Sequence, residues 1–137
     1  MQRIFDAFRQ IPRPILLPVH PRTRKTLYSY SLPANLILID PVGYLPMLAL
    51  VAHAEKVLTD SGGLQKEAYF LEKPCITLRT ETEWVETLQD GWNVIAASDP
   101  KKILQAVLKP PPDQPVSTGF GHGNAAEIII SQFTGNC

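Results

Sequence analysis

Short apolar runs that do not alternate with polar residues recur along the chain, and segments with helical spacing separate them. The apolar runs predict strands at 15–19, 36–39, 56–59, 75–78 and 93–96. Apolar residues spaced at three and four positions predict helices at 2–11, 24–29, 44–53, 64–71, 83–88, 101–108 and 125–133. Continuous apolar strands that are each followed by a helix are typical of a parallel sheet buried on both faces. The pattern therefore predicts an α/β fold in which helices cover both faces of one parallel sheet.

Periodicity also predicts parts of the core and the ends of the helices. Apolar side chains share one face of the first helix and one face of the third, which makes core candidates of Ile4, Phe5, Phe8, Ile11, Leu45, Leu48 and Val51. Asp99 followed by Pro100 is a typical start of a helix. The Pro- and Gly-rich stretch 110–123 is predicted to be a linker to the closing helix.

Composition narrows the classes of function. A chain of 137 residues is large enough for one domain with a real core. The 13 basic and 13 acidic residues cancel, which argues against a nucleic acid as the main partner. No apolar run reaches the length of a membrane-spanning helix, and the first residues lack the plan of a signal peptide. Cys75 and Cys137 do not make a disulfide framework, so we expect a cytoplasmic protein.

The most informative stretch is LTDSGGLQKE at 58–67, where an apolar run ends and a helix begins. The first amides of a helix have no intrahelical partner, and the helix dipole places partial positive charge on them. Gly62 and Gly63 let a phosphate approach the backbone, and Ser61 caps the helix or donates its hydroxyl. Glu67 follows about one turn later, at a spacing that suits a ribose hydroxyl. The plainer alternative is a well-capped helix start, because the stretch is neither a P-loop nor a dinucleotide motif.

Polar side chains stand at or just after the ends of four predicted strands. These residues are His20, Asp40, Ser61 and Arg79. In parallel sheets covered by helices, ligands bind beyond the carboxyl ends of the strands. Four such side chains at one edge indicate a binding site there more strongly than any one of them.

Six motifs in order along the chain carry a resemblance to a known family. They are LPVHPRT (17–23), DPVGYL (40–45), LTDSGGLQKEA (58–68), PCITLR (74–79), ETEWVE (81–86) and GWNV (91–94). Together they resemble the C-terminal domain of the non-hydrolysing UDP-N-acetylglucosamine 2-epimerases over nearly the whole chain. The pairing of the fifth and sixth motifs also resembles sister epimerases that act on UDP-2,3-diacetamido-2,3-dideoxy-glucuronate.

The resemblance implies a fold and a reaction. The implied fold is one half of a GT-B-type enzyme, in which two Rossmann-like domains face each other across a cleft. The implied isomerase inverts C2 of a UDP-sugar: UDP is eliminated as the C2 proton is removed, and UDP is then added back with the proton on the other face. No cofactor and no metal are implied, and the expected role is in polysaccharide biosynthesis.

The resemblance also assigns residues of this sequence to the nucleotide. It implies that Ser61, Gly62 and Gly63 hold the diphosphate and that Glu67 holds the ribose hydroxyls. The loop from Val42 to Met47 would border the uracil, with a backbone contact at Val42.

Two further residues have alternative interpretations of equal weight. His20 matches a histidine that helps to bind a second, regulatory UDP-sugar in some family members, or it satisfies backbone groups. Arg79 lies on the phosphate side, or it forms an ion pair with Glu83 or Glu86.

Two tryptophans lie in the fifth and sixth motifs. Trp84 stands where several family members have arginine, so a charge contact is lost there. Trp92 is expected to serve packing.

Some parts of the family pattern do not occur in this sequence. The catalytic carboxylates of the family lie in its N-terminal domain, so no catalytic residue is expected in this chain. The first strand of the C-terminal domain is also missing, and a sheet without it exposes an edge or an apolar face. We therefore expect a UDP-sugar as ligand, with a separate N-terminal half or a second copy of the chain as partner. The alternative is a stand-alone UDP-sugar-binding or regulatory module without catalysis.

Overall fold

Five strands and seven helices form the chain in a computed structural model, which describes residues 1–117 and 119–134. The strands are β1 (Ile15–Pro18), β2 (Leu36–Ile39), β3 (Val57–Thr59), β4 (Cys75–Thr77) and β5 (Asn93–Ile95). The helices are α1 (Gln2–Phe8), α2 (Pro21–Leu27), α3 (Tyr44–His53), α4 (Gly62–Phe70), α5 (Glu86–Gln89), α6 (Pro100–Leu108) and α7 (Ala125–Thr134). Cys137, which entered the cysteine argument, lies outside the described residues.

Three helices begin two or more residues from their predicted starts, and in two of them a capping residue explains the difference. Helix α2 begins at Pro21 rather than at residue 24, since proline suits the first helical position and His20 caps it. Helix α4 begins at Gly62 because Ser61 is its N-cap. Helix α5 is a single turn that begins at Glu86, three residues later than predicted.

Helices lie on both sides of the sheets, as predicted, and they cover both faces of β3 and β4. On one face, side chains of α1, α2 and α6 form a core with alternate residues of the strands, including Leu58 of β3 and Ile76 of β4. On the other face, Val51 of α3 and Ala68 of α4 pack with the neighbouring strand residues Val57 and Cys75. Successive residues of β3 and β4 thus point into different cores, which explains why these strands read as continuous apolar runs.

The strands form two parallel sheets. One sheet has the order β1-β2, and the other has the order β3-β4-β5. The crossover helix α2 lies on one face and α4 lies on the other. Because parallel crossovers are right-handed, the two sheets wind in opposite directions, and we infer that β1 and β3 are the innermost strands. This reversal is a topological switch point, where α/β sheets bind ligands.

The strands were expected to form one parallel sheet, and the structure divides them into two sheets at that switch point. Among the described residues β1 pairs only with β2, and β3 pairs only with β4. Both sheets nevertheless share the core that α1 and α6 complete. The division leaves two inner strand edges without a hydrogen-bonded neighbour in the described part of the chain, in line with the exposed edge that the sequence predicts.

Most of the predicted core is buried, with one clear error. Phe5, Phe8 and Ile11 are almost inaccessible to solvent, as is Val51. The prediction that Leu45 lies in the core is wrong, because its side chain is 73% exposed. The buried side chain of α3 is Val51, near its C-terminal end, so the first turn of α3 extends past the core.

The predicted linker is packed against the domain instead of running free. Gln114 accepts a hydrogen bond from the indole of Trp92 through its carbonyl, and Ser117 bonds to Tyr69 and Asp90. Phe120 packs against Tyr69 at 5.6 Å between ring centroids. We call residues 112–117 and 119–120 the strap. Trp92 is 6% exposed, which confirms its predicted packing role.

Candidate functional site

The corner between β3 and α4 has the geometry of an anion site. Strand β3 ends at Thr59, whose hydroxyl accepts a hydrogen bond from the amide of Ser61 at 3.0 Å. Ser61 is in an extended conformation and caps α4, its Oγ accepting from the amide of Leu64 at 3.4 Å. The turn is therefore fixed by two side-chain hydroxyls, and α4 begins immediately at the rim of the sheet.

Two amides at this corner are free. In the described part of the chain, the amides of Gly62 and Gly63 have no hydrogen-bond partner. Such amides, together with the helix dipole, favour an anion. A Cβ on Gly63 would meet only the Ser61 hydroxyl, at 3.8 Å, so the space beside Gly63 is open. We call Ser61, Gly62 and Gly63 the cradle.

Close neighbours leave little room for a side chain at Gly62. A Cβ there would lie 3.2 Å from Oε2 of Glu83 and 3.3 Å from Nε1 of Trp84. The loop that follows β4 therefore lies directly against one side of the cradle. The opposite side, at Gly63, stays exposed to solvent.

Arg79 lies on this same loop and is engaged by Glu83. Its Nη1 donates to Oε1 of Glu83 at 2.8 Å, which raises the pKa of the guanidinium. The pKa of Glu83 is lowered, first by its own backbone amide and then by Arg79. Asp60 also raises the pKa of Arg79. The ends of β3 and β4 are adjacent, because Thr59 pairs with Thr77 in the sheet. Of the two interpretations of Arg79, the structure shows the ion pair with Glu83.

A buried network of polar side chains supports the loop, and the sequence analysis missed it. Oε1 of Gln65 accepts from Oγ1 of Thr82 at 2.6 Å and from Nδ2 of Asn93 at 3.3 Å. Asn93 also donates to Thr87 at 3.0 Å and accepts from Thr77 at 2.8 Å. We call these five residues the polar network. The sequence signal was the presence of polar residues, Thr77 and Asn93, inside apolar strands.

Trp84 connects the loop to the cradle. Its indole Nε1 donates to the carbonyl of Gly62 at 2.9 Å, and its own amide donates to Oγ1 of Thr82 at 3.1 Å. The Nζ of Lys66 lies 4.3 Å from the centre of the indole, and the ring of Phe120 packs against it at 6.1 Å. The indole therefore contacts the cradle, α4 and the strap together.

Glu67 lies on α4, one turn after the cradle. Its side chain is half-buried, and within the described residues its carboxylate forms no hydrogen bond or ion pair. A carboxylate free to accept two hydrogen bonds suits a pair of hydroxyl groups. The structure thus places Glu67 on the same helix as the cradle with its hydrogen-bonding capacity unused.

The other predicted residues lie at the ends of β1 and β2. Nδ1 of His20 accepts from the amide of Arg22 at 3.3 Å, which is the interpretation in which His20 satisfies a backbone group. Asp40 pairs with Arg24 at 3.1 Å. Val42 and Met47 are half-buried around the exposed first turn of α3. His20 and Asp40 follow the ends of β1 and β2, as predicted.

The cradle is an open surface and not an enclosed pocket. Two open concavities lie elsewhere, one lined by residues that include Asp90, Pro112 and Gln114, and the other along α6 and β5. Neither concavity contains a cradle residue. In the described ranges, no cluster of His, Cys, Asp or Glu has the arrangement of a metal site. No helix of those ranges is long and apolar enough to cross a membrane.

Comparison with known proteins gives consistent matches. The family model for UDP-N-acetylglucosamine 2-epimerase matches residues 1–134. A UDP-N-acetylglucosamine 2-epimerase homolog of Methanococcus maripaludis is 49% identical over 95% of this chain, which spans 38% of that relative. The UDP-2,3-diacetamido-2,3-dideoxy-D-glucuronate 2-epimerase of Pseudomonas aeruginosa is 47% identical over 75% of the chain, spanning 30% of that protein.

A solved structure agrees in fold. The UDP-GlcNAc 2-epimerase of Methanocaldococcus jannaschii, in complex with UDP-GlcNAc and UDP, superposes with a TM-score of 0.77 and 36% identity. The match covers 98% of this chain and 39% of that structure. The chain therefore spans about two fifths of the length of these proteins, and its α/β fold corresponds to one part of theirs.

Proposed function

Because the chain belongs to the UDP-N-acetylglucosamine 2-epimerase family, we propose that it supplies the UDP-binding half of a UDP-sugar 2-epimerase. On this proposal residues 1–137 are the C-terminal Rossmann-like domain of such an isomerase. The relatives named above carry this activity in their names, and the chain covers about two fifths of their length. The acid and base groups that act on the sugar would be supplied from outside this chain.

The observation that supports the proposal most directly is the pair of free amides at Gly62 and Gly63. They stand at the start of a nine-residue helix, at the end of β3 and next to the switch point of the sheet. A diphosphate at this position would accept from both amides and from the hydroxyl of Ser61. Glu67 would accept hydrogen bonds from the ribose, and Val42 to Met47 would border the uracil.

The cradle would contribute to the proposed reaction by stabilising a leaving group. Elimination of UDP leaves negative charge on the departing diphosphate, and preorganised amides stabilise that charge without reorganising. Arg79 would add positive charge on the phosphate side once the diphosphate competes with Glu83 for its guanidinium. His20 is proposed either to contact a regulatory UDP-sugar or to act only as the helix cap that is observed.

Two sugars are supported by the relatives. Epimerisation of UDP-N-acetylglucosamine to UDP-N-acetylmannosamine is the first candidate, since the family description and the Methanococcus relative both name this class of enzyme. UDP-2,3-diacetamido-2,3-dideoxy-glucuronate is the second, because the Pseudomonas relative named for it is 47% identical. Assays with both sugars decide between them.

The exposed apolar surface supports a protein partner. Leu16 of β1 and Ile37 of β2 are 50% and 47% exposed, and they share one face of the β1-β2 sheet. Side chains of α7, including Ile130 and Phe133, are also exposed. We propose that a separate polypeptide corresponding to the N-terminal half of the relatives covers this surface, and that in its absence copies of the chain associate. The proposed location is the cytoplasm, and polysaccharide biosynthesis is the proposed role.

Calorimetric titration with UDP tests the binding site. We expect Ser61→Ala and Glu67→Ala each to weaken UDP binding by about 1–3 kcal/mol, because each leaves a polar group of the ligand unpaired. Matched controls are Ser29→Ala, whose hydroxyl caps the end of α2, and Glu55→Ala, which pairs with Arg13. Unchanged affinity in both site variants would remove the site assignment.

An epimerisation assay tests the division of labour. We expect no turnover from the purified chain alone and turnover after addition of a polypeptide that corresponds to the rest of the relatives' length. Robust turnover by the chain alone would refute the proposal that the acid and base groups lie elsewhere. UDP binding without turnover in either mixture would favour the stand-alone binding or regulatory module.

A further inference from the structure

We propose that Trp84 is a positioning residue of the cradle, whose indole N–H holds the Gly62–Gly63 peptide so that the Gly63 amide is presented to a diphosphate. This inference rests on the proposed function. It gives a role other than a charge contact to a position where several family members have arginine. The hydrogen bond from Nε1 to the carbonyl of Gly62, at 2.9 Å, is its starting point.

The geometry of one peptide unit connects the indole to the free amide. The carbonyl of Gly62 and the amide of Gly63 belong to the same planar group and point in opposite directions. A donor that holds the carbonyl therefore fixes the direction of the amide on the far side. Polarisation through the peptide also makes that amide a stronger donor. Gly62 is the first residue of α4, at the end of the helix where the backbone is restrained least, so the indole adds a further restraint to its carbonyl.

A hydrogen bond from the backbone amide of Trp84 also helps to hold its indole in place. The amide of Trp84 donates to Oγ1 of Thr82 at 3.1 Å, and Thr82 donates to Oε1 of Gln65 at 2.6 Å. Gln65 is fully buried and lies on α4, one turn from the cradle. The loop is thus tied back to the same helix whose first turn the indole contacts, and the hydrogen bonds form a closed loop through α4.

Two side chains, those of Lys66 and Phe120, also pack against the ring of Trp84. Lys66, on the first turns of α4, places its ammonium 4.3 Å from the indole centre, within the range of a cation–π interaction. Phe120 of the strap packs against the indole with an interplanar angle of 67°. A positive charge on the ring face also draws electron density from the indole and strengthens its N–H as a donor.

Calorimetry with three ligands on three proteins tests the inference. The native chain, Trp84→Phe and Trp92→Phe are each titrated with UDP, UMP and uridine. We expect Trp84→Phe to bind UDP about three- to tenfold more weakly, the loss expected for one hydrogen bond. We expect its affinity for uridine to be unchanged, because uridine has no phosphate for the cradle. Trp92→Phe is the matched control, since its indole donates to Gln114 at 3.1 Å, on the strap, and we expect native affinity for all three ligands.

The outcomes separate this inference from the proposed function. Failure of the native chain to bind UDP would overturn the proposed site. If the native chain binds UDP and Trp84→Phe binds it with the same affinity, only the positioning role is overturned. The same holds if Trp84→Phe loses equal affinity for UDP and for uridine.

A second measurement covers the case in which Trp84→Phe folds poorly. In the folded Trp92→Phe chain, Trp84 is the remaining one of the two tryptophans. Its indole N–H resonance should shift with UDP but not with uridine, and an indole resonance that ignores both ligands would overturn the proposal.

Discussion

The region around the cradle and the β1-β2 sheet differ in how far this chain covers and pairs their side chains. In the cradle region, buried polar side chains find partners within the chain: Gln65, Thr77 and Asn93 all bond to neighbours in the polar network. In the β1-β2 sheet, one face packs against the core, while the other presents Leu16 and Ile37 to solvent. Among the buried side-chain polar atoms of the described residues, Nε2 of Gln65 and Oε2 of Glu86 lack a partner, and the other polar groups of the first region are paired within the chain. The second region has an apolar face that nothing in the described residues covers.

This difference teaches which part of the proposed function is built into the chain. Hydrogen bonds from a buried network fix the loop beside the cradle, so the backbone that would hold a diphosphate is preorganised. Parallel sheets are normally covered on both faces, and the uncovered face is where we propose that another polypeptide packs. Nucleotide binding is therefore proposed as a property of this chain, and sugar chemistry as a property of a larger assembly.

The largest expected effect tests whether the two regions are one cooperative unit. Phe5 is 1% exposed and packs in the core that both sheets share. We expect Phe5→Ala to lower the free energy of unfolding by about 3–5 kcal/mol, because truncation of a buried ring leaves a cavity. Urea unfolding measures the loss, with Phe133→Ala as a control at a ring that is 81% exposed.

Hydrogen exchange in the same variant sharpens this result. We expect protection to fall for amides of β1 and of β4 alike, since α1 and α6 pack over both sheets. Loss of protection confined to β1 and β2 would show that the two regions unfold separately, and the comparison above would then describe two independent units.

The next effect concerns the polar network. Asn93 is 3% exposed and bonds to three side chains, so Asn93→Ala leaves buried groups without partners. We expect a loss of about 2–3 kcal/mol in the free energy of unfolding. Asn35→Ala is the matched control from the other region: Asn35 bonds to the carbonyls of Phe8 and Ile11, but it is half-buried and water can replace it. A larger loss for Asn35→Ala would contradict the view that buried polar contacts are concentrated at the cradle.

Local sequence patterns predicted the elements because each depends on neighbours in the chain. Apolar runs gave the five strands within a residue or two, and Ser61 and Asp99 cap their helices as expected. The cradle was predictable for the same reason, since a strand end, a cap and two glycines are adjacent in sequence. Recognition of the family rested on the same contiguous motifs.

Features that depend on distant residues were not predictable. The strap contacts Asp90 and Tyr69, which lie more than twenty residues before it, so its composition alone suggested a free linker. Leu45 was assigned to the core by periodicity, which cannot show whether another element covers that face. The contact between Trp84 and Gly62 crosses 22 residues, and only the folded loop brings the indole to the cradle.

Alkaline pH should lower the free energy of unfolding by a smaller amount than Phe5→Ala or Asn93→Ala, through groups of the cradle region. Burial raises the pKa of the Cys75 thiol to about 12, and burial followed by the hydrogen bond to Asp90 raises the pKa of Tyr69. The unfolded chain then loses protons at lower pH than the native chain, so stability is complete below about pH 9 and falls as the pH rises toward 12. We expect a loss of about 1 kcal/mol at about pH 10 from Cys75. Urea unfolding below about pH 9 and at about pH 10 measures this loss of stability. An equally steep loss in Cys75→Ala would assign the pH dependence to other groups.

The smallest effect on stability tests the uncovered face. Leu16 and Ile37 gain little from burial in the isolated chain, so we expect Leu16→Thr with Ile37→Thr to change the free energy of unfolding by less than about 1 kcal/mol. The same pair should lower self-association, because it removes the apolar face of the β1-β2 sheet while keeping a residue type that suits strands. Sedimentation over a range of concentrations measures association, and Leu108→Thr on α6, where the side chain is 62% exposed, is the control. A native chain that stays monomeric at high concentration would show that exposure alone does not make this face an interface. The case for a partner would then depend on whether the remaining part of the epimerase binds it.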